Sequence, residues 1–340
     1  MSILWQSTIA ICAVLLGVLP HRTATAQDYP TKPVRIISGF GPGSAGDVLT
    51  RLVVPRLSQP TGQQFIIEYK PGASSNIAAE FVVRAPADGY TLFLGTSANT
   101  INATLSSNLS FDFAKDLAPI APLGSVPNLL VVNSSLGVTN VRELIALAKA
   151  RPDQISYATS GAGSLSHMAG ELLNVLAGIK LVHVPYQSAA QAILDVLGGR
   201  VMAFFGPVNI VLPHVESGKL RALATTENKR TFMAPDIPTM AEAADLPHYE
   251  SAIWYGLLAP ARTPSDVIDK LSRLANEALQ AKDTMAQMRA QGYGSWAEVR
   301  RTSPRPSMPT SGDGARSSPP PASSDEYAAC AAWRAGLFPS

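Results

Sequence analysis

Cysteine is nearly absent: Cys12 and Cys330 stand near opposite ends of 340 residues. The body between them holds none, which excludes a disulfide framework and a thiolate-held metal or iron–sulfur site there. A chain this long can build its core without such staples. Charge is sparse too. Asp, Glu, Lys and Arg make up 15% of the residues, the net charge is +2, and no basic run exceeds the pairs Lys229-Arg230 and Arg300-Arg301. The basic footprint of a nucleic-acid binder is therefore missing. An apolar share of 46% excludes a disordered chain over most of the length. The histidines, His21, His167, His183, His214 and His248, are scattered without metal-ligand spacing, so no metal is expected. Long apolar runs are missing beyond residue 19. The run 9–19 is too short to span a bilayer with margin. His21-Arg22 and the small-x-small pattern Ala24-Thr25-Ala26 follow it, so 1–26 reads as an export signal cleaved after Ala26, although 1–6 lacks Lys and Arg. Ile11 stands where a lipidated Cys12 would need a small residue.

What the chain does have is two glycine loops of one design. Gly39-Phe40-Gly41-Pro42-Gly43-Ser44-Ala45-Gly46-Asp47 follows the apolar run 34–37, and Thr159-Ser160-Gly161-Ala162-Gly163-Ser164-Leu165-Ser166-His167 follows 155–158. Each stands between a strand pattern and a helix pattern. Such a loop aims free backbone N–H groups, and the positive end of a helix dipole, at one point. Two of them in two lobes would clamp a small anion. Elsewhere strands are expected at 65–68, 90–94, 129–132, 181–184, 201–205 and 220–224. Helices are expected at 47–57, kinked or ended by Pro55, and at 76–84, 166–177 and 189–197. Another, through Ala150, opens with a capping box, Asn140-Val141-Arg142-Glu143. A long one at 264–282 carries Val267, Leu271, Leu274, Ala278 and Leu279 on one face. This alternation predicts an α/β fold with mostly parallel sheets. The runs 127–132 and 253–258 read as two crossings between lobes, hence a hinge.

The first loop also spells a nucleotide motif. Gly41 to Gly46 fits G-x-G-x-x-G, and Glu68 ends the next strand, where a ribose-binding acid would stand. A dinucleotide-binding enzyme is thus the alternative to the clamp; a tight turn without ligand is the plainer reading. Pro42 stiffens the turn, and Asp47 puts a carboxylate beside the pyrophosphate position. No Lys follows the glycines, which excludes a P-loop. Ser164 and His167 are three apart, yet no G-x-S-x-G elbow surrounds Ser160 or Ser164, and a nucleophile–base pair needs an orienting third group. His183, inside an apolar strand, reads as a core histidine.

More specific stretches run from residue 29 to about 293. They include Tyr29-Pro30-Thr31-Lys32-Pro33, Lys70-Pro71-Gly72-Ala73 with Asn76, Pro86-Ala87-Asp88-Gly89-Tyr90, and Asp116-Leu117-Ala118-Pro119. His183-Val184-Pro185-Tyr186-Gln187, Gly218-Lys219-Leu220-Arg221-Ala222, Pro238-Thr239-Met240 and Trp254-Tyr255-Gly256-Leu257-Leu258 follow. In this order they resemble the Bug/TctC-type periplasmic solute receptors, the extracytoplasmic component of tripartite tricarboxylate transporter systems. The resemblance implies a two-lobe, type II periplasmic-binding-protein-like fold with two hinge crossings. It implies a monomer that binds a small carboxylate-bearing metabolite in the periplasm for delivery to membrane subunits, with no catalysis and no cofactor. Carried onto this sequence, Phe40, Gly43, Ser44, Ala45 and Asp47 would line one side of the cleft. Ser160, Gly163, Ser164 and His167 would line the other, with Thr96 and Ser97 as further polar contributors. Asp47 is expected to fix its loop rather than meet the anion.

The sequence also departs from the family. Gly206-Pro207 stands where an acidic residue or Asn is frequent, so Gly206 would shape a less polar far end of the pocket. The expected organisation is signal 1–26, first lobe 27–127 plus 253–293, second lobe 128–252, and an aberrant tail 294–340. That tail lacks the family's acidic helix, and 303–324 is Pro, Ser, Gly and Arg with almost no large apolar residue. A receptor relic with a damaged C-terminus is the remaining alternative.

Overall fold

The computed structural model describes residues 29–106, 108–247 and 249–294. In chain order they form β1 (Val34–Ser38), α1 (Ala45–Thr61), β2 (Phe65–Tyr69), α2 (Asn76–Val83), β3 (Thr91–Thr96), α3 (Ser97–Leu105), α4 (Phe113–Asp116) and β4 (Leu117–Asn133). Next come α5 (Val141–Ala150), β5 (Ser156–Thr159), α6 (Leu165–Ala177), β6 (Val182–Pro185), α7 (Ala189–Leu197), β7 (Ala203–Pro207) and α8 (Val208–Glu216). β8 (Leu220–Thr225), α9 (Met240–Ala244), β9 (Ala252–Pro260), α10 (Ser265–Gln280) and α11 (Lys282–Ala290) complete the order.

Short strands joined through helices pair in parallel in both lobes, with β1, β3 and β7 buried and the edge strands β2 and β6 partly exposed. In the first lobe β1 lies between β2 and β3, parallel to each; β3 then runs antiparallel to β9. In the second, β5 lies parallel to β6 and β7. Each sheet buries its own core. Ile37, Phe93, Trp254 and Leu258 gather in one; Leu130, Tyr157, Leu173, Phe205 and Tyr249 gather in the other.

The lobes share β4. From Leu117 to Pro127 it pairs with β9; from Asn128 to Asn133 it lies between β7 and β8. Pro119 and Pro122, which cannot donate to a ladder, coincide with register shifts at 119/121 and 122/124. The return crossing is bound to the outward one. The Thr226 amide donates to the Asn128 carbonyl (2.9 Å), and the Ser251 amide donates to the Thr226 carbonyl (2.7 Å). The Thr226 hydroxyl also reaches the carbonyls of Asn128 (3.2 Å) and Ser251. All three residues are fully buried.

Several local expectations are corrected. Helix α1 passes through Pro55 and Pro60 and stops at Gly62, at φ 64°. Leu49, Val53 and Leu57 anchor it from both sides of the lost hydrogen bond. The helix expected over 264–282 ends at Gln280; Ala281 is extended (φ −63°, ψ 128°), and α11 begins afresh. The Asn140 capping box is half formed. Asn140 accepts from the Glu143 amide, but the Glu143 carboxylate turns to the Thr139 amide (2.6 Å). Gly294 belongs to the body rather than to a tail, because it exchanges backbone hydrogen bonds with Ser125 (2.9 and 3.1 Å). The expected signal, both cysteines and 295–340 lie outside the described residues.

The Thr226 hydroxyl holds both crossings together, so Thr226→Val is expected to lower stability by about 1–2 kcal/mol. Chemical denaturation of the variant checks this, and an unchanged midpoint would contradict it.

Candidate functional site

The two glycine loops fold alike. In the first, the Ser44 amide donates to the Gly41 carbonyl (3.2 Å), and the Ser44 hydroxyl accepts from the Asp47 amide (3.3 Å), capping α1. In the second, the Ser164 amide donates to the Gly161 carbonyl (3.2 Å), and the Ser164 hydroxyl accepts from the His167 amide (3.3 Å), capping α6. Gly43 (φ 75°) and Gly163 (φ 77°) occupy the left-handed region that glycine enters without strain. Each gives its N–H to the side chain four residues on. Gly43 donates to Asp47 Oδ2 at 2.9 Å, Gly163 to His167 Nδ1 at 3.1 Å.

Those two side chains are anchored from below. Asp47, 3% exposed, also accepts from the Tyr69 hydroxyl (2.6 Å) and from Arg51 Nε (3.0 Å). His167 stacks on His183 with ring centroids 4.0 Å apart, and His183 Nε2 lies 2.6 Å from the Thr159 hydroxyl. Burial pulls the His167 pKa down, against the pull of Glu171. Burial, then His167, brings His183 down to about 4. A neutral His167 keeps Nδ1 free to accept from Gly163. His183 is corrected: it is half-buried on the edge strand β6 rather than in the core, and its stack on His167 supports the second loop.

Above the loops lies a cavity of about 40 Å³ between the lobes. Five helices begin on its wall: α1 at Ser44 and Ala45, α3 at Thr96, Ser97 and Ala98, α6 at Ser164, Leu165 and Ser166, α7 at Ala189, and α8 at Pro207. Phe40, Ser160, Ile253 and Tyr255 complete the lining. No Asp, Glu, Lys, Arg or His is among these residues. The Ser97 hydroxyl, in a residue 1% exposed, has no partner among the described residues. Helix N-terminal amides and hydroxyls around one space are the donors that an anion requires. The cleft is shut. The Ser74 hydroxyl donates to the Ala162 carbonyl (2.5 Å), and Asn102 Nδ2 donates to the Gly163 carbonyl (3.1 Å), each bond joining the lobes. The space holds about three water-sized spheres, so a larger guest requires those bonds to part.

Of the residues expected at the site, Phe40, Ser44, Ala45, Thr96, Ser97, Ser160 and Ser164 line the cavity. Gly43, Asp47, Gly163 and His167 sit behind it as turns and pins. Gly206 is corrected: it lies outside the lining, and Pro207 takes its place. A Cβ at 206 would come 2.4 Å from Val211 Cγ1, so packing of α8 demands the glycine. Ala98, Leu165, Ser166, Ala189, Pro207, Ile253 and Tyr255 were not expected at the site. Ile253 and Tyr255 belong to the crossing run, which was legible as a strand but not as a wall. A second concavity of about 470 Å³ opens on the outer face around Arg35, Glu80 and Arg84. Its charges pair with one another, as in Arg84–Glu80 (2.5 Å), and no helix N-termini converge there.

The geometry opposes the catalytic alternatives. The Gly43 amide that a pyrophosphate would need is given to Asp47, and Glu68 pairs with Arg35 (3.5 Å). The Ser164 hydroxyl donates to the Gly161 carbonyl (2.6 Å), and His167 Nδ1 is engaged, so no nucleophile–base pair exists. Among the described residues no His, Cys, Asp or Glu cluster could hold a metal, and no helix is long and apolar enough to cross a membrane.

Two lobes on shared strands, closing over helix N-termini, define the class: a periplasmic-binding-protein-like solute receptor. Residues 49–302 match the model of the tripartite tricarboxylate transporter family receptors, and the chain belongs to that family. It is a family of receptors, not of enzymes. A UPF0065 protein of Bordetella bronchiseptica is 39% identical over 271 residues, covering 79% of each chain. A solved structure of an R. palustris protein with adipate is 33% identical, with a TM-score of 0.75 over 92% of this chain and 100% of that one. The periplasmic binding protein BugD is 27% identical, with a TM-score of 0.76 over 91% and 99%.

Two outcomes follow from the pins. Asp47→Ala strands the Gly43 N–H and the Tyr69 hydroxyl and is expected to cost about 1–3 kcal/mol in denaturation; Asp47→Asn keeps an acceptor and should cost less. Equal stability of the alanine variant and the parent would contradict the pin. Because His167 and His183 titrate below the ordinary histidine range when folded, the unfolded chain binds their protons first. Stability is therefore expected to be full above about pH 6.5 and to fall as pH drops toward 4, with His183→Asn flattening the fall. Melting temperatures of parent and variant from about pH 7 to pH 5 check the sign.

Proposed function

We propose that this chain is an exported, monomeric periplasmic receptor. It closes 27–127 plus 253–293 against 128–252 over a small carboxylate-bearing metabolite and presents it to the membrane subunits of a tripartite tricarboxylate-type transporter. Residues 1–26 would direct export. The observation that carries the reading is the convergence of five helix N-termini and the unpartnered Ser97 hydroxyl on a cavity without charged side chains. A carboxylate there accepts from the first-turn amides of α1, α3 and α6 and from the hydroxyls of Ser44 and Ser97. Each helix terminus contributes about 0.3–1 kcal/mol toward an anion. Adipate in the R. palustris relative supports an organic acid as the class.

Binding and closure are one event in this reading. The guest enters where the Ser74 and Asn102 bonds part, and donors from both loops then draw the lobes toward it. Both lobes supply donors, so an anion is fully held only when they meet. A receptor needs no reaction at the site, only a shut state that its guest stabilises more than the open one.

A thermal-melt screen of the chain from residue 27 tests the reading against linear monoacids, diacids, hydroxyacids, amino acids and NAD. A ligand at 100-fold its dissociation constant adds about 2.7 kcal/mol, which moves the melt by several degrees. A shift with acids and none with NAD is expected. A shift with NAD alone would overturn the reading in favour of a nucleotide site.

A further inference from the structure

The end of the described chain touches both lobes. Helix α11 lies on the first lobe, where Asp283 pairs with Arg56 of α1. Arg289, near the end of α11, lies over the Phe232 ring in the loop after β8, 4.7 Å from its centroid. The chain then turns at Gly292 (φ 80°) and packs against the second lobe. A Cβ at 292 would come 2.6 Å from Cγ1 of Val208, the first residue of α8. Gly294 returns to the first-lobe part of β4, where it exchanges backbone bonds with Ser125. Between these glycines stands Tyr293, 2% exposed. Its hydroxyl donates to the Ala45 carbonyl of α1 (2.6 Å) and accepts from Nδ2 of Asn209 on α8 (3.0 Å). One hydroxyl thus bonds both lobes at once.

Both bonds end on helices that begin at the cavity wall. Ala45 opens α1 and lines the cavity; Asn209 is the second residue of α8, whose cap, Pro207, lines it too. Asn209 Oδ1 has no partner among the described residues, so the bond to Tyr293 is what fixes that amide. Packing does not require the hydroxyl, since a phenylalanine ring would fill the same space. A tyrosine hydroxyl has one proton to give and can accept in return. Here the proton goes to the first lobe and the lone pair to the second. Burial pushes the Tyr293 pKa up, which keeps the hydroxyl a donor. The contact lies outside both strand crossings, so it constrains opening in a way that chain connectivity does not. The Ser74 and Asn102 bonds reach the second glycine loop, whereas Tyr293 reaches α8. The shut state is therefore held at two separate points of the second lobe.

We infer that Tyr293 is a positioning residue of the receptor: its hydroxyl holds the first turns of α1 and α8 together in the shut state and so sets how readily the cleft opens and releases its guest. This rests on the receptor reading above. Opening draws Asn209 away from Ala45. Tyr293, anchored to the first lobe through Gly294, then gives up Asn209 and leaves that buried amide unbonded, which opposes the motion. The residue touches no guest and acts only through the two helix ends. Without its hydroxyl the lobes meet as before but part more easily.

Stopped-flow binding to the parent chain and to Tyr293→Phe tests this. Adipate serves as the probe, or the acid with the largest shift in the melt screen if adipate gives none. The acid is expected to leave Tyr293→Phe about three- to tenfold faster than the parent, with association no slower. Asn209→Ala should reproduce the faster release. The double variant should release no faster than Tyr293→Phe, because both changes remove one shared contact. Faster release with undiminished association is what a structural role alone would not give, since a misshapen site also slows association. Unchanged release in Tyr293→Phe or in Asn209→Ala, whatever happens to the melting temperature, overturns the inference and leaves the receptor intact. Slowed association overturns it as well. A parent that binds no acid in the screen overturns the receptor reading, and this inference with it. If Tyr293→Phe does not fold, Asn209→Ala decides by the same two rates.

Discussion

The structure depends on helix N-termini that converge on one cavity with no positive side chain in its lining. Five helices start at one small cavity, and no Asp, Glu, Lys, Arg or His lines it. A guanidinium or ammonium placed there would have to be desolvated each time the lobes close empty, with nothing to pair it. Backbone amides carry no such penalty. They are already aimed by their helices, and the loops before α1 and α6 fix that aim through a serine cap and a glycine at positive φ. The second loop reproduces the first with an imidazole in place of the carboxylate.

That substitution makes the lobes unequal. Asp47 is held by Tyr69 and Arg51, which fix the carboxylate as an acceptor for the loop. His167 can accept from Gly163 only while neutral, and burial against His183 keeps it so. The hinge shows a similar economy. One threonine, Thr226, ties both crossings by backbone and hydroxyl. The crossings are thus firmly joined along the chain.

Much of this was legible in the sequence, for local reasons. The loops are visible because glycine at positive φ, a serine cap and the following helix are all local features. The lobe crossings are visible as apolar runs. Other parts depend on residues distant in the chain. Helix α3, Ser97–Leu105, is polar along most of its length and has no apolar period; the Thr96–Asn99 capping box forms it and buries it against the other lobe. Gly206 looked like a ligand residue because it falls at a variable point of the family pattern, yet the Val211 side chain explains it. Pro55 looked like a helix end, but burial of Leu49, Val53 and Leu57 outweighs one lost hydrogen bond. The tie between the crossings could not be read at all, since Asn128, Thr226 and Ser251 are far apart in the chain and meet only in the fold.

The most direct test of anion recognition by helix termini is a calorimetric comparison of a bound linear diacid with its diamide and its diamine. These differ in charge and little in shape. The account predicts the acid binds about tenfold tighter than the amide or better, with no detectable binding of the amine. An amide that binds as tightly as the acid, or an amine that binds at all, would contradict it.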